Sequence, residues 1–322
     1  MDGRAPHVPV LADEAIGYLV PEPGTRDGTD GGVVVDATLG AGGHAERILD
    51  AMGPSGRVLG IDRDDVALAI ARERLARFGD RVRFERGNFD DLEYIVRASG
   101  WDPVAGVLYD LGVSSMHFDD PARGFSYQHD APLDMRMDRS QDRTAADVVN
   151  TYDQRDLTRI LRTYGEERWA SRIAQFVVRA RRRKPLSTTV ELVELIRDAV
   201  PHAARRVGPH PARRTFQALR IEVNGELDAL SSSLPQAVAT LGVGGRLVAI
   251  SYHSLEDRIV KRFMVAEARG EVPRLRLLTR RPETAGEAEV TINPRASAAK
   301  LRAAERLASP PGGWTPPEGS AA

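Results

Sequence analysis

The chain has no cysteine among its 322 residues. That excludes disulfides, a thiolate nucleophile, and zinc or iron–sulfur sites built on cysteine ligands. Lysine is nearly missing too: Lys184, Lys261 and Lys300 stand against 42 arginines. Such a bias follows genomic base composition, so a single arginine is weak evidence for a role. No apolar run approaches the ~20 residues needed to span a bilayer. The opening MDGRAPHVPVLADE has neither a basic n-region nor an apolar h-region, so no secretory signal is expected. No His/Asp/Glu cluster has metal-ligand spacing, and no metal is expected. With 42% hydrophobic and 28% charged residues, the chain reads as a soluble, cytoplasmic globular protein.

A net charge of −1 conceals an uneven distribution. Residues 151–215 carry 15 Arg/Lys and 7 Asp/Glu, including Arg179, Arg181, Arg182, Arg183 and Lys184, then Arg205, Arg206, Arg213 and Arg214. Such a run is either a solvated helical face or a phosphate-binding surface for nucleic acid.

The first third alternates short apolar strands with amphipathic helices. Val33–Asp36, Arg57–Asp62, Val82–Glu85 and Val104–Asp110 read as strands, and DDVALAIARERLARF between them has helical spacing. This rhythm predicts a parallel, doubly wound sheet whose ligands lie at the carboxyl ends of the strands. From 111 to about 214 no convincing strand appears, and the helical stretches there predict an inserted, mainly helical domain. The sheet resumes after a helical region with GGRLVAIS, and two short closing strands are expected at Leu275–Thr279 and Glu289–Ile292. An antiparallel last strand is the ending of a class I S-adenosylmethionine-dependent methyltransferase (Rossmann-like) α/β sheet. The expected parts are thus 1–112 and 215–308 for the sheet domain, 113–214 for the insertion, and a disordered, Pro/Gly-rich tail at 309–322.

The run VVVDATLGAGGHAERIL (33–49) places Gly40, Gly42 and Gly43 in a loop, with His44 opening a helix. Its letters fit a dinucleotide fingerprint as well as a methyltransferase loop. An NAD(P)-dependent oxidoreductase is therefore a rival on this run alone. Asp62, about 20 residues beyond the loop, has the spacing of a ribose-binding acid; capping of the next helix is its other reading, although Asp64 can serve there. After the third strand, Asn88 and Phe89 of GNFDDL can read and stack on an adenine, with core packing the alternative for Phe89. Asp110 ends the fourth strand, where a carboxylate can face a sulfonium or methionine moiety. Suitable residues at three successive strand ends favour S-adenosylmethionine over a nicotinamide cofactor.

HVPVL (7–11), DATLGAGGH (36–44), GIDRD (60–64), YDLGVSS (109–115), RGFSY (123–127), PLDMRMD (132–138), RTFQALRIEVNGEL (214–227), ISYHSLEDRIVKRF (250–263) and NPRASAAKLRAAE (293–305) occur together and in order. Over nearly the whole chain this set resembles the RsmH (MraW) family of ribosomal RNA methyltransferases. The resemblance implies methylation of the exocyclic N4 of a cytidine in 16S rRNA, at the decoding centre near the P site, with the rRNA held within the small ribosomal subunit. It also implies cofactor contacts at Gly42, Gly43, His44, Asp62, Phe89, Asp110 and His117. His117 is a departure, since glutamine is the expected residue there. The chain also lacks the [DNS]-P-P-[YFW] tetrad of many amino-methylating enzymes and has Asp-Leu-Gly-Val instead.

Cytosine N4 is a poor nucleophile, because its lone pair is delocalised into the ring. A catalyst must align it with the methyl group, accept hydrogen bonds from it and dispose of a proton. Asp110 and His253 are the candidate catalytic groups. Ser115, Arg136, Asn224, Tyr252 and Ser254 are candidate substrate contacts, with Ser114 beside them and Tyr252 available to stack on the base. Two of these stretches have a structural alternative: SYHS can cap a helix through Ser254, with Asp257 near the third helical position, and PLDMRMD can be a rigid loop in which Asp134 pairs with Arg136. A non-catalytic RNA-binding protein of ribosome assembly is the rival from another class.

Overall fold

The computed structural model describes residues 9–20, 32–113, 120–205 and 210–308. Contacts divide the chain into two units. The first comprises Met1–Asp62, Val66–Gly112 and Leu230–Ala322, and the second Arg63–Asp65 and Val113–Ala229. The second unit therefore ends beyond the expected boundary at Arg214. The reason is the helix Ala212–Asn224, whose Phe216, Leu219 and Val223 are buried in that unit's core.

In the first unit, seven strands form one sheet in the order β3-β2-β1-β4-β5-β7-β6. They are β1 (Val33–Asp36), β2 (Arg57–Asp62), β3 (Val82–Arg86), β4 (Val104–Asp110), β5 (Leu241–Ser251), β6 (Leu275–Leu277) and β7 (Lys300–Arg306). β1 to β5 pair in parallel, and β7 runs antiparallel to both β5 and β6. Strand order reverses outward from β1 and β4, the switch point where such sheets bind ligands. One strand expectation fails: Glu289–Ile292 lies in a helix, Glu287–Ile292, and the closing antiparallel strand is Lys300–Arg306 instead. Leu301, Ala303 and Ala304 are fully buried, and small side chains there let the last strand pack on both faces.

Alternation along each strand builds two cores. Val34, Val58, Leu108 and Val248 point to the face covered by α1 (Ala12–Leu19), α2 (Gly43–Ala51) and α3 (Asp65–Leu75). Val35, Leu59, Val107 and Ala249 point to the other face, against α4 (Leu92–Ser99) and residues Leu230, Leu234 and Val238. A strand buried on both faces needs apolar residues at every position, which is why VVV and VLYD read as continuous runs and not as alternations.

The second unit is helical: α5 (Ala145–Thr151), α6 (Gln154–Thr163), α7 (Ala170–Arg181), α8 (Thr189–Ala199), the single turn α9 (His202–Arg205) and α10 (Ala212–Asn224). Thr144 with Asp147, and Thr188 with Glu191, form capping boxes that satisfy the first amides of α5 and α8. Gly225, at φ 60°, stops α10 before α11 (Glu226–Thr240) begins. Among the described residues, no helix is long and apolar enough to cross a membrane.

Candidate cofactor and active site

The glycine loop joins β1 to α2 at the carboxyl edge of the sheet. Gly40 and Gly42 both have positive φ, +52° and +78°. A Cβ on Gly42 would lie 3.1 Å from Leu75 Cδ1, so part of its need for glycine is the close approach to α3 and not only to a ligand. On Gly43 a Cβ would meet the ring of Pro9 at 3.5 Å. Asp62 at the end of β2 accepts a hydrogen bond from the Gly40 amide at 2.8 Å, which fixes the loop to the neighbouring strand end.

Four side chains converge where β1, β4 and β5 end. Thr38 ties two of them together. Its amide donates to Asp36 Oδ1 at 3.2 Å, and its hydroxyl accepts from the Asp110 amide at 2.6 Å. The Tyr252 hydroxyl donates to Asp110 Oδ1 at 2.8 Å. His44 Nε2 lies 3.4 Å from Asp110 Oδ2. That contact is electrostatic, since neither ring nitrogen of His44 completes a hydrogen bond among the described residues, and Asp36 Oδ2 has no partner either.

Burial dominates the charge states of this cluster. It raises the Asp36 carboxyl to about 7, against the favourable field of His44 and the Thr38 amide. For His44, burial works against the charged form, but Asp110 and Asp36 together outweigh it and raise the imidazole above its ordinary value. Burial, then the carboxylate of Asp110, hold the Tyr252 phenol far above its usual range, so it remains a donor. Asp36 and Thr38 were not singled out in the sequence. The available signal was an acid ending an otherwise apolar buried strand, the pattern that did single out Asp62 and Asp110.

Phe89 follows β3 in the 3₁₀ turn Phe89–Asp91 and meets Tyr109 edge-on, with ring centroids 5.7 Å apart. It is only partly buried, so packing and an exposed face coexist. The side-chain oxygen of Asn88 is buried without a partner among the described residues, an acceptor suited to an amine donor such as that of adenine. These residues fit an adenosyl ligand with an amino-acid arm: acids at the ends of β2 and β4, and an aromatic ring with an unsatisfied acceptor after β3.

Several expected site residues have other duties. His253 and not Ser254 caps α12 (Ser254–Arg269). Its Nδ1 accepts from the Glu256 amide at 3.4 Å, and its Nε2 lies 3.0 Å from Glu256 Oε1. Its Nδ1 is thus engaged by the helix cap, while its Nε2 faces Glu256 without completing a hydrogen bond among the described residues; Ser254 is the exposed first residue of the helix. The partly buried Tyr252 ring packs against the sheet core with its hydroxyl on Asp110.

In the second unit, Arg136 grips Asp134 through Nε at 2.8 Å and Nη2 at 2.9 Å, and its Nη1 donates to the Gln141 carbonyl at 2.7 Å. Asn224 is buried; it donates to the Met135 and Arg220 carbonyls and accepts from the Met137 amide, each at 2.8 Å. Both residues clamp the PLDMRMD loop, which corrects their expected substrate role. Arg123 completes that framework: it is buried, donates to Asp64 at 2.9 Å, and donates to the Arg136 and Met137 carbonyls at 2.9 Å. Ser114, Ser115 and His117 lie outside the described residues.

The basic segment divides by function. Arg181 donates to the Val149 carbonyl, Arg214 to that of Glu166, Arg205 to that of Val200, and Lys184 pairs with Glu191. Arg179, Arg182, Arg183 and Arg213 are exposed and carry no ion pair among the described residues; Arg206 lies outside them.

A seven-stranded sheet in this order with one antiparallel strand, and a glycine loop between acidic strand ends, defines a class I methyltransferase that uses S-adenosylmethionine. The model of the MraW methylase family matches residues 4–307, and the chain belongs to that family. Its relatives include proteins named "Ribosomal RNA small subunit methyltransferase H". That of Frankia alni is 52% identical, covering 98% of this chain and 99% of its own. Those of Acidothermus cellulolyticus and Thermobifida fusca are 51% and 50% identical, each covering 94% of both chains. Among solved structures, NSun6 from Pyrococcus horikoshii, crystallised with SFG, superposes with a TM-score of 0.45 at 11% identity over 94% of this chain and 53% of that one. A likeness so remote adds nothing to the family match.

Proposed function

We propose that this protein methylates the exocyclic N4 of a cytidine in small-subunit 16S rRNA, in the decoding centre near the P site. The observation that carries the rRNA substrate is the near-complete, roughly half-identical match to relatives whose name states it. The cytidine and its position rest on the resemblance of the ordered motifs from HVPVL to NPRASAAKLRAAE.

Bound S-adenosylmethionine supplies an electrophilic methyl group on a sulfonium. The chain's residues position the partners. Gly42, Gly43 and His44 line the loop, Asp62 meets the ribose hydroxyls, and Phe89 with Asn88 receives the adenine. Asp110, held by Tyr252 and Thr38, receives the ammonium of the methionine arm. His117 completes this set. Ser115 and Ser254 remain on the substrate side. With His253 committed to its helix and Asp110 to the cofactor, catalysis rests on alignment. The methylated amine is cationic and loses its proton readily to water. Exposed Arg179, Arg182, Arg183 and Arg213 supply backbone contacts to RNA, and the target base leaves its stack to reach the methyl group.

The test incubates the protein with labelled S-adenosylmethionine and small ribosomal subunits from a strain lacking this activity, then maps the label. Label on one cytidine N4 is expected; label on another nucleotide would overturn the assignment, and no transfer would favour the RNA-binding reading.

A further inference from the structure

The cluster at the ends of β1 and β4 holds more ionisable groups than cofactor positioning requires. Asp36 is fully buried with Oδ2 unpartnered among the described residues, and there both nitrogens of the buried His44 lack a hydrogen bond. Natural cores seldom leave such groups orphaned unless they serve a task. His44 is a lone imidazole in the field of Asp110 on β4 and Asp36 on β1. Asp62 on β2 acts in turn on Asp36, while Arg47 on the same helix as His44 opposes its charge. Tyr252, after β5, occupies the other oxygen of Asp110, so Oδ2 is the oxygen that His44 faces.

We propose that Asp36, His44 and Asp110 form a proton-linked receptor for a primary ammonium group, in which an ammonium seated on the Asp110 carboxylate expels a proton from His44 to solvent. This rests on the reading that Asp110 receives the amino-acid arm of the cofactor. The balance is simple. Before binding, the His44 ring and the Asp110 carboxylate face each other at 3.4 Å, and Asp110 and Asp36 favour the protonated ring. After binding, the ammonium neutralises Asp110 and repels the imidazolium, and burial then favours neutral imidazole. One cation replaces another, no bond to carbon changes, and the proton leaves to buffer. Neutral His44 can donate its one N–H to Asp110, which fixes the carboxylate beneath the ligand. His44 is therefore a positioning residue. By linkage, affinity rises with pH across the range in which free protein holds this proton and the complex does not.

The test is calorimetric titration of the full chain with S-adenosylhomocysteine at pH 6.5, in two buffers of different ionisation enthalpy. The ligand's amino-acid α-amino group, more basic than a peptide N-terminus, is already protonated there, so any proton released comes from the protein. Release approaching ~1 proton per ligand is expected, with affinity rising up to ~10-fold per pH unit. 5′-Methylthioadenosine, which has no amino-acid arm, should bind without release. Asp36→Asn, which removes the neighbouring carboxyl as a second proton source, should still release a proton with S-adenosylhomocysteine, and adding His44→Gln to it should abolish that release.

No release in the wild-type protein, or release unchanged in His44→Gln, would overturn the proton link and leave the cofactor reading standing. If His44→Gln fails to fold, absence of release in Asp36→Asn still overturns the link. If Asp110→Asn keeps full affinity for S-adenosylhomocysteine, and 5′-methylthioadenosine binds as tightly, the placement of the amino-acid arm on Asp110 fails and the inference falls with it.

Discussion

The Tyr252 hydroxyl donates to Asp110 Oδ1 across 2.8 Å and ties the turn after β5 to the end of β4. Tyr252→Phe keeps the ring packing and removes only this donor. A hydrogen bond to a charged acceptor contributes about 1.5–3 kcal/mol. Urea unfolding should register a loss of about that size or somewhat less, and the dissociation constant for S-adenosylmethionine should rise several-fold as Asp110 loses its orientation. An unchanged dissociation constant would separate Tyr252 from the cofactor site.

Asp62 meets the glycine loop through the Gly40 amide at 2.8 Å. Asp62→Ala removes both that anchor and the proposed ribose contact. We expect affinity for S-adenosylmethionine to fall by more than ~10-fold, equivalent to about 1.4 kcal/mol. Calorimetry at fixed salt checks it, and full affinity in the variant would take Asp62 out of the site.

Asn224 makes three hydrogen bonds to the PLDMRMD loop and its own helix while buried. Truncation to Ala leaves the Met137 amide and two carbonyls without their partner, at about 1–3 kcal/mol for each group that water cannot reach. Asn224→Ala should therefore lower the urea midpoint markedly, with cofactor affinity of the folded fraction intact. If stability is unchanged and only RNA methylation suffers, Asn224 is a substrate residue after all.

Asp36 makes stability depend on pH. Its folded-state carboxyl is raised to about 7 from 3.8, by burial first. The folded protein therefore binds this proton more tightly than the unfolded chain, and the contribution to stability is lost as pH rises from near 4 through 7. Asp36→Asn mimics the protonated form. Relative to wild type it should gain stability between pH 5 and pH 8, as read from denaturation midpoints at both. A constant difference would show that Asp36 does not titrate in this window.

Much of the sheet was legible before its coordinates. The runs VVVD, RVLGID and VAGVLYD are short, β-branched and bounded by turn residues, and each became a parallel strand. Glu289–Ile292 misled because four residues carry too little periodicity to separate strand from helix. Only long-range pairing with β5 selected Lys300–Arg306 as the closing strand. The strand-end positions of Asp62 and Asp110 were legible because local pattern fixes strand ends. The scaffold contacts of Arg136, Asn224, Tyr252 and His253 were not, because a polar side chain's partner can lie far along the chain or depend on which way a ring turns.

The sequence by itself determined the class of sheet, the position of its ligand edge and the family, because strand periodicity and motif order are local and survive in one dimension. The tertiary structure alone decided which polar groups are consumed by the scaffold and which are left over. Asn224 reaches Met135 and Met137, Tyr252 reaches Asp110, and His44 comes to face Asp36 and Asp110. Those pairings set hydrogen bonding and charge state through burial and distance, and neither quantity is written in the order of residues.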